Sequence, residues 1–161
     1  MRWLFAALFM IFSLNSLFAS DCKINAEAVV GILEFEIVGC SVDGKLVEAG
    51  GHISGTFSVD LAKLDTGLDL RNEHMHNKYL ETEQNPIALL KLEPVKIGDK
   101  KFVGHLSLHG VTKKVEGEVL ESDKNSLKAK FMLNITDFGI EKPGYKGIVV
   151  GEKLRIFVSI D

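Results

Sequence analysis

Apolar and polar residues alternate one for one through most of this chain, and a period of two admits few folds. Leu127, Ala129, Phe131, Leu133 and Ile135 form a ladder against Lys128, Lys130, Met132 and Asn134. Leu33, Phe35 and Ile37 are separated by Glu34 and Glu36, and Ile53, Phe57, Val59 and Leu61 alternate with Ser54, Thr56, Ser58 and Asp60. Phe102, Leu106 and Leu108 oppose Val103, His105, Ser107 and His109. Val111, Val115 and Val119 follow, and Leu154, Ile156, Val158 and Ile160 end the chain. Successive side chains of a strand point to opposite faces, so each run reads as a strand with one dry and one wet face. Turn signals part the runs at Asp43-Gly44, Gly98-Asp99, His109-Gly110, Asp123-Lys124-Asn125 and Pro143-Gly144.

One segment breaks the rhythm. Between Leu70 and Leu80, the apolar Met75, Tyr79 and Leu80 fall at helical spacing, with Asp69 or Asn72 as N-cap and Asn85-Pro86 as the stop. The expectation is an all-β domain of about eight antiparallel strands with one short helix near residues 70–80. A closed barrel of about that many strands either fills its interior with side chains or holds one small ligand. The small inward residues Gly55, Gly104, Gly117 and Ala129 fit two readings equally, spare room or close backbone approach at bulges and corners.

The first twenty residues obey another rule. Arg2 precedes the unbroken apolar run from Trp3 to Phe12, and small residues stand ahead of Asp21. This is the layout of a secretory signal peptide over residues 1–20, cut after Ala19 or Ser20, with one domain over 21–161. A spanning helix needs ~20 apolar residues, and Ser13, Asn15 and Ser16 interrupt this run, so no stable membrane insertion is expected after cleavage. The expected location is periplasmic or secreted, where cysteines are able to pair. Cys22 and Cys40 are the two cysteines. A hairpin turning at Gly31 sets them opposite each other, yet the same register sets Ala26 and Ala28 against Glu36 and Glu34 and mixes the faces. A disulfide, contributing ~3 kcal/mol on the loop-entropy model, and two unpaired buried thiols both stay open.

Composition removes several classes of function. The 161 residues are 46% hydrophobic and 25% charged, which is globular rather than disordered usage. Nineteen Lys and Arg against 22 Asp and Glu leave a net charge of -3, without the basic footprint that nucleic acid requires. His74 and His76, two apart in a helix, face away from each other, and His105 and His109 on one strand face lie about 13 Å apart. A zinc ion wants nitrogens at ~2 Å, so neither pair chelates alone. The chain has no Gly-x-Ser-x-Gly elbow and no glycine-rich phosphate loop. Glu34, Glu36, Asp60, Glu116 and Glu118 occupy wet strand positions, and the Asn134-Ile135-Thr136 sequon falls inside an expected strand. No catalytic residue, metal or cofactor is expected.

Five blocks bring a family into view. They are Leu64-Asp65-Thr66-Gly67; Arg71-Asn72-Glu73-His74-Met75 with Tyr79-Leu80-Glu81 and Pro86; Leu106-Ser107-Leu108-His109-Gly110-Val111-Thr112-Lys113; Thr136-Asp137-Phe138-Gly139-Ile140; and Val150-Gly151-Glu152. In order and spacing this set resembles the YceI-like family across roughly residues 53 to 161. The resemblance implies a lipocalin-like antiparallel barrel, exported in bacteria, whose elongated interior binds a polyisoprenoid or other long-chain lipid. Lipid contact would then fall to the inward apolar set Phe35, Ile37, Phe57, Val59, Phe102, Leu106, Leu108, Phe131, Leu133 and Ile156. His74 and Arg71 are assigned to fixing the loop that enters the helix, Asp65 and Thr66 to a turn, and His109 to the following hairpin. Asn72 stands where the family usually shows Asp, and Ile135 where an Arg commonly precedes the Asp-Phe-Gly block, which points to another head group or a plain apolar chain. The cysteines are not part of the family pattern.

Burial of about a dozen methylenes at ~0.8 kcal/mol each is enough for micromolar affinity after ordering costs. The alternative function is a non-catalytic envelope-interaction or stress-response module with a filled barrel. A homodimer is compatible with either.

Overall fold

Strict alternation makes strands, and the computed structural model shows them across residues 21–28, 34–145 and 148–161, the residues it describes. The expected leader, Leu33, the turn at Gly31 and the side chains of Cys22 and Phe35 lie outside the described part. In chain order the elements are β1 (Asp21–Ala28), β2 (Glu34–Ile37), β3 (Val42–Ala49), β4 (His52–Asp60), α1 (Asp69–His74), β5 (Ile87–Lys96), β6 (Lys101–Leu108), β7 (Val111–Ser122), β8 (Leu127–Asn134), β9 (Gly144–Tyr145) and β10 (Ile148–Ile160). Every ladder is antiparallel, in the order β2-β1-β10-β8-β7-β6-β5-β4-β3, with β9 paired to β10. The sheet curls until Cα atoms of its edge strand β3 come within 8 Å of β10. The expected antiparallel barrel with one short helix is therefore the architecture. Among the described residues it counts ten strands, because the short β2 and β9 also hydrogen-bond.

Among the described residues no ladder joins β3 to β2. Val38, just past β2, instead exchanges two backbone hydrogen bonds with Asp65, of 2.7 and 2.9 Å. The curl is thus completed at one end by a loop rather than by a strand.

Burial follows the period. On β8 Leu127, Ala129, Phe131 and Leu133 are buried, and on β6 Phe102, Leu106 and Leu108 share the inner face. The outer face carries cross-strand charge pairs such as Lys130–Glu118 at 3.0 Å and Lys128–Glu121 at 2.8 Å. Exposed pairs of this kind add little to stability, so the dry face holds the sheet together.

Several expectations are corrected. Asp43-Gly44 is not a turn: it lies within β3, where Asp43 pairs with Ser58 and Gly44 with Phe57. The Phe57 ring occupies the space a Cβ at residue 44 would need, which explains the glycine without a turn. The hairpin instead turns at Gly50 and Gly51, both at positive φ (60° and 80°), the requirement of a tight turn matched to strand twist. In β1–β2, Ala26 pairs with Phe35 and Ile24 with Ile37, one residue away from the register that sets Cys22 opposite Cys40. That shift removes the mixing of apolar and acidic partners.

The glycines Gly55, Gly104 and Gly117 mark close approach rather than room. A Cβ at Gly117 would meet the Lys130 carbonyl, the Phe102 ring and the Phe131 Cβ, and one at Gly55 would meet the Lys45 carbonyl and the Phe57 ring. Ile135 leaves the strand to begin a 3-10 turn, Ile135–Phe138, and the sequon residue Asn134 becomes the last residue of β8. There its Oδ1 accepts from the Thr136 hydroxyl at 2.9 Å.

Candidate functional site

The helical segment covers one end of the barrel, and its ends differ from the expected ones. Leu68 occupies the N-cap without a side-chain hydrogen bond, Asp69 is already helical, and a π-helical turn, Met75–Tyr79, continues α1. Asn72 is unavailable as a cap because it reaches back to the preceding loop. Its Oδ1 accepts from the Thr66 N–H at 2.8 Å and the Thr66 hydroxyl at 2.7 Å, while its Nδ2 donates to Asp65 Oδ1 at 2.7 Å. The Arg71 guanidinium donates to the Thr66 carbonyl at 2.8 Å, and a His76 ring nitrogen lies 2.8 Å from the Leu64 carbonyl. The Asn72 amide and then the Gly67 N–H hold the Asp65 carboxyl below the ordinary carboxylate range. The expected roles of Asp65, Thr66 and Arg71 in building this loop are visible in these bonds.

Two further ties fix the far end. The Tyr79 hydroxyl accepts from the Gly144 N–H at 3.0 Å, joining the π turn to β9. His109 places one ring nitrogen 2.7 Å from Glu81 Oε2 and the other 3.3 Å from the Phe138 carbonyl. The helix ends at Tyr79, well before Pro86, and Glu81 at φ 48° turns the chain away.

Beneath this cap lies a cavity of about 560 Å³. Its wall includes eight residues of the expected contact set: Ile37, Phe57, Val59, Leu106, Leu108, Phe131, Leu133 and Ile156. Phe102 does not line it. Its ring packs edge-on against Phe131, centroids 5.9 Å apart at 86°, and helps close the barrel below. The side chain of Phe35 is outside the described residues.

The cavity also takes in residues that strand periodicity does not reveal, among them Leu64, Leu68, Met75 and Ile140. They sit on loops and on the helix, where inward positions follow the path of the cap rather than a period of two. Arg71 and His74 line the wall as well, so Arg71 both holds the loop and faces the interior. Leu68 and Leu70, 59% and 49% exposed, line the cavity and also meet solvent, which places the mouth beside them.

Other chemistry is sparse at this site. Among the described residues no group of three or more His, Cys, Asp or Glu side chains gathers as a metal site. No helix among them is long and apolar enough to cross a membrane. Cys40 is buried in the cavity wall and disulfide-bonded, and Cys22 is the sequence's one other cysteine.

Comparison with known proteins gives consistent matches. A UPF0312 protein of Pseudomonas fluorescens (strain SBW25) is 27% identical, with 83% of each chain covered. The structure of Burkholderia cenocepacia BcnA superposes with a TM-score of 0.65 at 18% identity, covering 86% of this chain and 94% of that one. A polyisoprenoid binding domain from Saccharophagus degradans, implicated in plant cell wall breakdown, gives 0.62 at 14% identity, covering 88% and 91%. These structural likenesses carry the fold. The model of the YceI-like domain matches residues 22–161, and the chain belongs to the YceI-like family.

Proposed function

We propose that this protein is an exported, periplasmic or secreted binding protein that holds a long-chain isoprenoid or other lipid inside its barrel. The observation that carries the reading is the cavity of about 560 Å³, walled by apolar side chains from β4, β5, β6, β8 and β10 and capped by α1. That volume falls in the ~300–1,000 Å³ range of ligand pockets. A cavity with this lining gains free energy from each methylene it takes out of water, ~0.8 kcal/mol apiece, and needs no catalytic group. The Saccharophagus domain with the same fold is a polyisoprenoid binding domain, which agrees with such an occupant. The leader-like residues 1–20 support export. The work of the molecule in this reading is capture and release, without a cofactor.

The test is native mass spectrometry of the protein purified from a bacterial envelope, followed by solvent extraction. One long-chain lipid per chain, on a protein that begins near Asp21, is the expected result. Folded protein that carries no lipid and takes up none from vesicles of bacterial lipid would overturn the reading.

A further inference from the structure

Three phenylalanines crowd against glycines of the barrel wall. Gly117 on β7 pairs with Phe102 on one side and with Phe131 on the other. A Cβ there would run into the Phe102 ring and the Phe131 Cβ, so the bare backbone lets the two residues close up and their rings meet edge to face, centroids 5.9 Å apart. Phe57 repeats the arrangement. Its ring fills the space over Gly55 on its own strand and over Gly44, its partner on β3. Phe57 and Phe131 line the large cavity, and all three rings line the small void on the far side, together with the buried Leu92, Leu127 and Ala129. That void, about 10 Å³, stands at the lower limit for one water, ~10–15 Å³, and admits no hydrocarbon. The lipid-sized space is a cup with a floor of rings.

The cup has a definite capacity. At the ~30 Å³ that one water takes up in the liquid, about 560 Å³ holds roughly 18 heavy atoms. Its depth sets the shape of the occupant. On β8 and the turn that follows, Phe131, Leu133 and Ile135 line it, a climb of four residues or about 13 Å. A chain of single bonds extends ~1.2 Å per bond, as the three backbone bonds of an extended residue do within ~3.6 Å, so roughly eleven bonds run the depth and a longer tail bends.

We infer that the ring floor limits this protein to a single tail of about 16–20 carbons, an acyl chain or a short isoprenyl chain, and excludes polyprenyl chains of twice that length or more. The inference rests on the lipid-holding reading above and adds the size class of the ligand. Carbons beyond the limit stay outside the mouth in water, where they gain nothing from burial.

The experiment equilibrates the exported protein with phosphatidylcholine vesicles that carry equal amounts of straight-chain alcohols from decanol to triacontanol, of geranylgeraniol and of solanesol. The protein is then separated from the vesicles and its bound alcohols are identified by mass spectrometry. The vesicle interior is already hydrocarbon, so the bound distribution reads fit rather than escape from water. Enrichment is expected to peak near octadecanol or geranylgeraniol, with solanesol and triacontanol at about one-tenth of the peak or less. Which of the two leads tells an acyl ligand from an isoprenyl one. Phe131→Leu lowers the floor and moves the peak to longer chains, whereas Leu133→Phe fills part of the cup and moves it to shorter ones. Unfolding midpoints are recorded for both variants, and Leu133→Phe decides the matter if Phe131→Leu does not fold. Solanesol held as well as octadecanol, or a peak unmoved in the folded variants, would overturn the ring floor as the limit and leave lipid holding intact. Folded protein that takes up neither an alcohol nor any other vesicle lipid would overturn both.

Discussion

Glu81 and His109 stand 2.7 Å apart, carboxylate oxygen to imidazole nitrogen, and both hold left-handed backbone angles, φ 48° and 52°. Non-glycine residues in that region cost of order 1 kcal/mol each and persist only where their surroundings insist on them. Here the surroundings are the segment leaving the helical cap, the β6–β7 hairpin turn and the Phe138 carbonyl, all gathered on one imidazole. Neighbours of these segments, Leu80, Leu108 and Ile135, line the cavity. The pair therefore fastens the cap to the rim of the barrel.

Loss of this clasp has a measurable signature. Glu81→Ala is expected to cost about 0.5–1 kcal/mol, because the carboxylate is partly exposed and solvent weakens the pair. His109→Ala costs more than His109→Gly, since glycine at a left-handed position relieves the strain that alanine retains. Urea midpoints of the three variants and of the Glu81→Ala/His109→Gly double variant check this. Additive single effects would show that the two residues are not coupled.

The hollow interior makes Leu106→Trp informative. Leu106 is buried from solvent yet borders the cavity, so the larger ring has space to enter. Stability is expected to change by less than about 1 kcal/mol while lipid binding is lost, whereas the same change in a packed core typically costs 1–3 kcal/mol. Unfolding midpoints and probe displacement measured on one sample read both quantities.

The barrel is closed below the cavity by Phe131 and Phe102, and beyond them lies a void of about 10 Å³. Phe57, Leu90, Phe131, Val158 and Ile160 border both spaces. Phe131→Ala joins them and extends the channel, at a cost of about 3–5 kcal/mol in stability. Extracted lipid is expected to shift toward longer chains, read by mass spectrometry. An unchanged chain-length distribution on folded variant protein would show that this floor does not measure the tail.

Much of the molecule was legible because strands declare their faces. The β8 ladder of Leu127, Ala129, Phe131 and Leu133 is buried on one side as its alternation requires. Illegible were the positions whose environment is set by distant partners. Gly44 looked like a turn residue because nothing local shows that the Phe57 ring covers it. At Gly117 spare room and close approach stay equally open in the sequence, because its crowding comes from Phe102 and Phe131 across the sheet. His74 and Arg71 were assigned to the loop, and their second aspect, facing the cavity, depends on where the cap settles on the barrel. The path of the cap in turn depends on a π turn that no side-chain period announces.

Acid should loosen the cap loop. The Asn72 amide, followed by the Gly67 N–H, lowers the folded-state pKa of Asp65. A depressed carboxyl contributes stability above its unfolded value and loses it as pH falls through the folded one, so the loss develops below about pH 4. Asp123 behaves alike, held down first by the Asn125 N–H and then by the Ser126 hydroxyl. Asp65→Asn keeps an acceptor for the Gly67 N–H and removes the titration. Its stability is expected to fall less steeply than that of the wild type on acidification, followed by urea unfolding at stepped pH. Equal slopes would remove Asp65 from the acid response.

Reduction tests the remaining seam of the barrel. Cys40 is disulfide-bonded and buried between β2 and β3, the two strands at opposite ends of the sheet order. A bond to Cys22, the chain's other cysteine, would tie β1, the inner neighbour of one edge strand, to the segment that enters the other. Such a bond restrains the unfolded chain, and its loss is expected to cost ~3 kcal/mol on the loop-entropy model. Urea unfolding with and without reductant measures the difference. A Cys22→Ala variant should match the reduced wild type and ignore reductant. Should it instead match the oxidised wild type, the bond of Cys40 does not run to Cys22 within one chain, and the edges of the sheet are held by packing and by the Val38–Asp65 bridge.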